Sequence, residues 1–85
     1  MTKFLNKKSC FIGKNVKIGK NVVIYENNHI EGSCQIGDTV TLLPGNFIVN
    51  SNIGDDTILH ASVIEKSEIK SGAFIGPYAR IRPGS

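Results

Sequence analysis

Two histidines, His29 and His60, are the residues of this 85-residue chain best suited to acid–base chemistry at neutral pH. A catalytic base also needs a positioned partner and a pocket. His29 lies next to Asn27–Asn28, at the outer end of a unit of the six-residue repeat described below, so we expect it at a solvated corner. His60 directly follows the aliphatic Leu59, so we expect it to point outward. We therefore predict that neither histidine is catalytic, and a zinc site of three histidines would have to be shared between copies.

Arg80 and Arg82 could bind an anion. They are two residues apart, so on a strand their side chains point the same way. Neighbouring guanidinium groups repel unless an anion or a carboxylate lies between them. The planar guanidinium fork suits a phosphate, whereas pairing with Glu65 or Glu68 would be an ordinary surface contact. The residues themselves leave both alternatives open.

The other groups that could do chemistry favour structural roles. Asp55–Asp56 looks like a metal-binding pair, but aspartate is a turn former and the pair falls at a turn position of the repeat described below. Cys10 and Cys34 both fall at small, inward positions of that repeat, on different faces, so we expect two free thiols and no disulfide. We predict no metal ligand among these residues.

Charge and hydropathy indicate whether to expect a nucleic acid or a membrane as a partner. The net charge is +3, and the lysines that precede the first acidic residue, Glu26, concentrate positive charge near the N-terminus. No nucleic-acid-binding motif accompanies these lysines, so we expect a solvated basic edge and no nucleic acid partner. No apolar run is long enough for a transmembrane helix or a signal peptide. We expect a cytoplasmic protein that does not associate with membranes.

A strict six-residue repeat organises the chain. A bulky aliphatic residue recurs at every sixth position: Ile12, Ile18, Ile24, Ile30, Ile36, Leu42 and Ile48. This period fits neither a helix nor a simple strand alternation. A smaller residue follows four positions after each of them, and turn formers such as Pro44–Gly45 lie between the two. Each hexad is thus a short strand and a corner, which predicts a parallel β-helix of hexapeptide repeats.

The repeat also sets the expected boundaries. Five-residue steps from Ile48 to Ile53 and from Ile64 to Ile69 predict a corner shortened at similar places. Three sides per coil give about four coils, starting near residues 12, 30, 48 and 64, with a fifth just begun at Ile81. We expect residues 1–11 to be a lead-in or N-terminal cap, residues 12–85 to form the β-helix, and no C-terminal cap to follow. The expected lid residues over the first coil are Phe4, Leu5 and Phe11.

One stretch carries a specific resemblance. Residues 75–84, with the sequence Ile-Gly-Pro-Tyr-Ala-Arg-Ile-Arg-Pro-Gly, resemble a motif of the bacterial bifunctional enzymes that make UDP-N-acetylglucosamine, and residues 50–56 are similar to the same family at the matching distance. The resemblance covers about residues 10–85. It corresponds to the opening coils of the family's C-terminal acetyltransferase domain, which acts on glucosamine-1-phosphate.

The resemblance implies properties that the repeat alone does not. It implies a left-handed helix, a trimer with active sites between subunits, and acetyl-CoA as the donor in the complete enzyme. The uncapped last coil separately offers a surface on which copies could stack end to end. It assigns Arg82 to the phosphate of the sugar and places the catalytic base and the acetyl-CoA groove beyond Ser85. We therefore expect an acetyltransferase segment that is inactive alone and holds no cofactor, catalytic or metal-binding residue of its own. A non-catalytic β-helix module for oligomerisation or docking is the alternative.

Overall fold

A computed structural model describes residues 2–83 of the chain. Strands of two or three residues alternate with corners, because each hexad supplies one inward aliphatic residue and one turn. Within these residues the strands are β1 (Lys3–Phe4), β2 (Phe11–Ile12), β3 (Val16–Ile18), β4 (Val23–Ile24), β5 (His29–Glu31), β6 (Cys34–Ile36), β7 (Thr41–Leu42), β8 (Phe47–Val49), β9 (Asn52–Ile53), β10 (Ile58–Leu59), β11 (Val63–Glu65), β12 (Glu68–Ile69), β13 (Phe74–Ile75) and β14 (Arg80–Ile81). One 3-10 turn, Lys7–Ser9, lies between β1 and β2.

The strands stack into three parallel sheets, one for each face of a triangular coil. Sheet A has the order β1-β4-β7-β10-β13, sheet B the order β2-β5-β8-β11-β14, and sheet C the order β3-β6-β9-β12. Every pairing between neighbouring strands is parallel, and each strand pairs with the one three elements later in the chain. The predicted parallel β-helix of hexapeptide repeats is therefore confirmed. Its left-handed sense stays a prediction from the resemblance.

The six-residue series becomes three aliphatic columns. In register, sheet A stacks Phe4, Ile24, Leu42, Leu59 and Ile75; sheet B stacks Ile12, Ile30, Ile48, Ile64 and Ile81; sheet C stacks Ile18, Ile36, Ile53 and Ile69. The members of the middle coils are fully buried. Burying each of these side chains stabilises the fold by about 1.5–3 kcal/mol relative to exposing it. The predicted inward positions are thus confirmed.

The small inward positions include a buried polar ladder. Asn28 and Asn46 are each 1% exposed, yet every buried polar side-chain atom in the described part of the chain has a partner. The Asn46 amide nitrogen donates to Asn28 Oδ1 at 3.0 Å and to the carbonyls of Leu43 and Leu59 at 2.7 and 3.0 Å. Asn46 Oδ1 accepts from the Ser62 backbone N–H at 3.1 Å. The ladder therefore ties three coils together next to sheet B.

The corners use the left-handed backbone region that the turn residues favour. Asn21, Asn27 and Thr39 have φ of 56°, 60° and 58°, and Gly45 has φ of 89°. Each of the four lies three positions after an inward aliphatic residue of the repeat, where the sequence predicts a turn former. Asparagine and glycine enter this region at low cost.

The shortened corners carry a single left-handed residue. Asn50 (φ 47°) and Lys66 (φ 46°) follow Ile48 and Ile64, and both lie at the corner between sheets B and C, as predicted. The Lys66 N–H donates to the Val49 carbonyl and the Asn50 N–H to the Glu31 carbonyl, so these corners stack. A third shortened step, from Leu59 to Ile64, lies at the corner between sheets A and B. Its left-handed residue is Ala61, with φ of 46°, and the repeat count did not predict it.

The first coil begins earlier than the repeat indicates. Strand β1 pairs with β4, with Phe4 opposite Ile24, so residues before Ile12 already occupy a position in sheet A. The structure has four complete coils and most of a fifth within residues 2–83. Phe4 packs against the core, but Phe11 is 52% exposed on the outer face of sheet B, so its predicted role as a lid is wrong. Strand alternation explains this, because Phe11 precedes the inward Ile12.

Candidate functional site

Arg80 and Arg82 lie at the last described strand, and the structure distinguishes them. Arg80 stands opposite Val63 on the outer face of sheet B, and its guanidinium is 3.9 Å from the Glu65 carboxylate. The two side chains are 62% and 36% exposed, so this pair contributes no more than about 1 kcal/mol. Arg82 is also exposed and follows the inward Ile81. The surface alternative foreseen for the arginines thus describes Arg80, whereas the phosphate contact at Arg82 stays a prediction.

The turn before Arg80 brings the chain close to His60. A Cβ on Gly76, whose φ is 118°, would overlap the His60 carbonyl oxygen, so only glycine fits there. Tyr78 is 85% exposed, and its N–H donates to the Ala61 carbonyl at 3.1 Å. His60 follows the fully buried Leu59 and points outward from sheet A, as predicted. His60 and the arginine-bearing turn therefore follow two neighbouring strands of sheet A, β10 and β13, and lie one strand spacing apart.

His29 lies in a strand and is part of an aromatic stack. Its ring is sandwiched between Phe11 and Phe47, with centroid distances of 4.8 Å on both sides and interplanar angles of 20° and 21°. His29 Nε2 contacts Glu31 Oε1. The predicted solvated corner is therefore wrong for His29, because strand β5 includes it. The signal that could have revealed this was the eighteen-residue spacing of Phe11, His29 and Phe47 in the sequence.

The Asp55 side chain hydrogen-bonds the backbone of a neighbouring corner. Its Oδ1 accepts from the Asp38 N–H at 2.8 Å, and Asp38 Oδ1 accepts from the Lys20 N–H at 2.8 Å, one coil apart. Asp56 takes the left-handed conformation with φ of 57°. Residues 2–83 contain no group of three or more histidine, cysteine, aspartate or glutamate side chains that could hold a metal ion. The aspartate pair is explained by turn formation.

The cysteines are free and belong to different columns. Cys34 is 4% exposed, and Cys10 is half-buried. Cys10 Sγ lies 3.2 Å from the Tyr25 carbonyl, and Cys34 Sγ lies 3.2 Å from the Glu31 carbonyl. Both thiols thus donate to backbone carbonyls from small inward positions of the repeat, as predicted.

Comparison with known proteins agrees with this geometry. Residues 15–50 match the family described as bacterial transferase hexapeptide (six repeats). They cover β3 to β8, where the period is uninterrupted. The family match thus coincides with the most regular coils.

Nearly the whole chain is similar to longer proteins. It is 40% identical to Bifunctional protein GlmU of Clostridium beijerinckii over 93% of the chain, and 40% identical to Bifunctional protein GlmU of Streptococcus sanguinis over 96%. The corresponding protein of a Synechococcus strain is 34% identical over 96% of the chain. The chain spans only 17–18% of the length of these relatives. The resemblance of the chain to bifunctional enzymes of this kind is therefore confirmed.

No helix in residues 2–83 has the length and apolar character needed to cross a membrane. The part of the chain that the structure describes consists of short strands and one 3-10 turn.

Proposed function

We propose that the chain forms the opening coils of a hexapeptide-repeat acetyltransferase that acts on glucosamine-1-phosphate in UDP-N-acetylglucosamine synthesis. The observation that supports this most is the 40% identity to bifunctional GlmU proteins over 93–96% of the chain. Acetyl-CoA would be the donor in the complete enzyme. Two free thiols accord with a cytoplasmic location.

Arg82 would contribute an anion contact to that function. Glu65 lies beside Arg80, which partly neutralises the first arginine, and the exposed Arg82 offers a guanidinium fork to a sugar phosphate. His29 is held between two phenylalanine rings and His60 points outward from sheet A, so neither is proposed as the catalytic base. We therefore assign this segment scaffolding and phosphate recognition, and not proton transfer.

A titration of glucosamine-1-phosphate tests the phosphate contact. We expect NMR shift changes at residues 78–82 in the natural sequence and none in Arg82→Ala, while Arg80→Ala keeps the response because its partner is Glu65. Equal responses of the two variants would remove the assignment to Arg82.

A thiol-release assay with acetyl-CoA tests the absence of catalysis. A positioned general base contributes on the order of 10²–10⁴-fold, so we expect no turnover above background for the chain alone. Turnover that disappears in Arg82→Ala would contradict this and reveal a complete site.

We also propose that the chain assembles into trimers. Four to five short coils give few stacking interfaces to offset the entropy of ordering the chain, and Phe11, Phe47 and Phe74 are exposed on the flanks. These exposed rings are also the observation that favours the alternative, a non-catalytic oligomerisation module. Light scattering at tens of micromolar should report three times the 9.2 kDa chain mass, and a monomer there would contradict the assembly in either role.

A further inference from the structure

Glu65 lies next to both arginines on the outer face of sheet B. Ile64 and Ile81 are paired in register, and Glu65 and Arg82 are the residues that follow them. Each of the two follows an inward isoleucine, so both side chains belong to the outer face. Neighbouring strands are about 4.8 Å apart. Glu65 therefore lies one strand spacing from Arg82, in the coil before it.

Glu65 is the carboxylate of this face that can serve a ligand at Arg82. In the described part of the chain, the outward positions of sheet B hold one other acidic residue, Glu31. Val49 lies between Glu31 and Glu65 in register, and Glu31 contacts Nε2 of His29. Glu31 is thus two coils away from Glu65 and has a partner of its own.

The contact between Glu65 and Arg80 leaves the carboxylate able to accept a second cation. The Arg80 guanidinium lies 3.9 Å from Glu65 Oε1, which is longer than the about 2.8 Å of a charge-assisted hydrogen bond. The Glu65 side chain is 36% exposed, so water and solutes reach it. An exposed pair at this distance contributes little to stability. A ligand cation can therefore share the carboxylate with Arg80 at small cost.

A 2-amino sugar 1-phosphate carries two opposite charges on adjacent ring carbons. Its phosphate is an anion, and its amine is largely protonated at neutral pH. The two groups are separated by a few bond lengths, which is close to the spacing of neighbouring strands. Arg82 and Glu65 offer the complementary charges, also one strand spacing apart.

We propose that Glu65 binds the ammonium group of the sugar phosphate whose phosphate contacts Arg82. Glu65 would then determine specificity for amino sugars, because a sugar phosphate with a hydroxyl at that carbon gains no ion pair there and meets only the repulsion between the carboxylate and its phosphate. This inference rests on the proposed phosphate contact at Arg82 and adds the group that recognises the amine.

The same contact distinguishes substrate from product. Acetylation replaces the ammonium with a neutral amide and leaves the phosphate unchanged. The product would keep its contact with Arg82 but lose the ion pair with Glu65. The segment would therefore hold the amino sugar phosphate more tightly than its acetylated form.

NMR titrations with two sugar phosphates measure this specificity. Glucosamine-1-phosphate and glucose-1-phosphate differ in the amine alone, so the ratio of their dissociation constants reports the amine contact. An exposed ion pair corresponds to a preference of about two- to five-fold for the amino sugar. The ratio is the readout because any effect of Glu65 on the phosphate group is common to both ligands.

Two matched variants assign the preference to Glu65. Glu65→Gln keeps the size of the side chain and removes its charge, so we expect the ratio to fall to about one. Glu68→Gln makes the same charge change on sheet C and should leave the ratio as it is in the unmodified chain. Circular dichroism melting shows whether both variants are folded.

The carboxyl carbon of Glu65 gives a measurement without variants. Its NMR signal should shift more with glucosamine-1-phosphate than with glucose-1-phosphate at equal occupancy of the site, because only the first ligand brings a cation to the carboxylate. Equal shifts with the two ligands would overturn the proposal.

The outcomes separate this inference from the phosphate contact on which it rests. A response at Arg82 with equal affinity for the two sugars would overturn the role of Glu65 and leave the phosphate contact in place. An unchanged ratio in Glu65→Gln, or the same loss in Glu68→Gln, would also overturn it. If neither ligand shifts Arg82, the phosphate contact itself fails and this inference fails with it.

Discussion

Replacing Asn46 with leucine tests whether the buried asparagine ladder stabilises the coil. The substitution keeps a side chain of similar size in the column but removes an amide. The Ser62 N–H and the Leu43 carbonyl then lose their hydrogen bonds to Asn46. Among the described residues, neither group has another hydrogen-bond partner in a side chain or a turn. Asn28 Oδ1 still accepts from the Asn46 backbone N–H at 3.3 Å, and the Leu59 carbonyl from the Leu43 N–H.

These partners set the expected magnitude. A buried N–H without a partner costs about 1–3 kcal/mol, and the partly buried carbonyl adds about 1 kcal/mol. We therefore expect Asn46→Leu to lower the free energy of unfolding by about 2–4 kcal/mol. Urea denaturation followed by circular dichroism measures it, at one fixed protein concentration because assembly shifts apparent stability.

A double-mutant cycle separates the ladder from simple packing. Asn28→Leu removes the same amide-to-amide bond, so the double variant should lose about 1 kcal/mol less than the sum of the single losses. Val16→Ala, two coils from Asn46 and in another column, serves as the control and should add to Asn46→Leu without coupling. An unchanged stability in Asn46→Leu, or no coupling with Asn28→Leu, would refute the role of the ladder.

Two further pairs of substitutions test the core and the corners. Ile36→Ala, in the sheet C column, should lower the unfolding free energy by about 2–5 kcal/mol. Lys20→Ala, at an exposed corner, should change it by less than about 0.5 kcal/mol. Equal shifts of the melting temperature in the two variants would contradict the inward register. Gly37→Ala should destabilise by about 1–3 kcal/mol, because its Cβ would overlap the Asp55 carboxylate. Gly13→Ala, whose Cβ would have ordinary contacts of 3.5 Å, should be close to neutral, and a larger loss at Gly13 than at Gly37 would show that the corner spacing is misread.

The aliphatic columns could be predicted from the sequence because one side chain per hexad has to face inward. The start of the coil could not. Phe4 and Ile12 are eight residues apart, since the 3-10 turn Lys7–Ser9 lies between them, so counting by six places Asn6 where an aliphatic residue is expected. A longer turn with its own hydrogen bonds replaces the usual corner there.

The candidate site was harder to predict than the fold. The sequence indicates that Arg80 and Arg82 lie on one side of a strand, but the partner of each depends on which coil lies below. Register places Arg80 opposite Val63, near Glu65. The stack around His29 depends on contacts between residues eighteen positions apart, which local patterns do not show.

The shortened corners make the core insensitive to residue count. From Ile30 to Ile48 the coil takes eighteen residues and from Ile48 to Ile64 only sixteen, yet all three side chains lie directly opposite one another. A deletion inside a strand would turn every later side chain to the other face, whereas a deletion at a corner is absorbed by one left-handed residue such as Ala61 or Lys66. A change in length at a corner therefore leaves the side-chain packing of the coils before and after it unchanged. Such a chain can gain or lose residues over evolution while each aliphatic side chain keeps its neighbours.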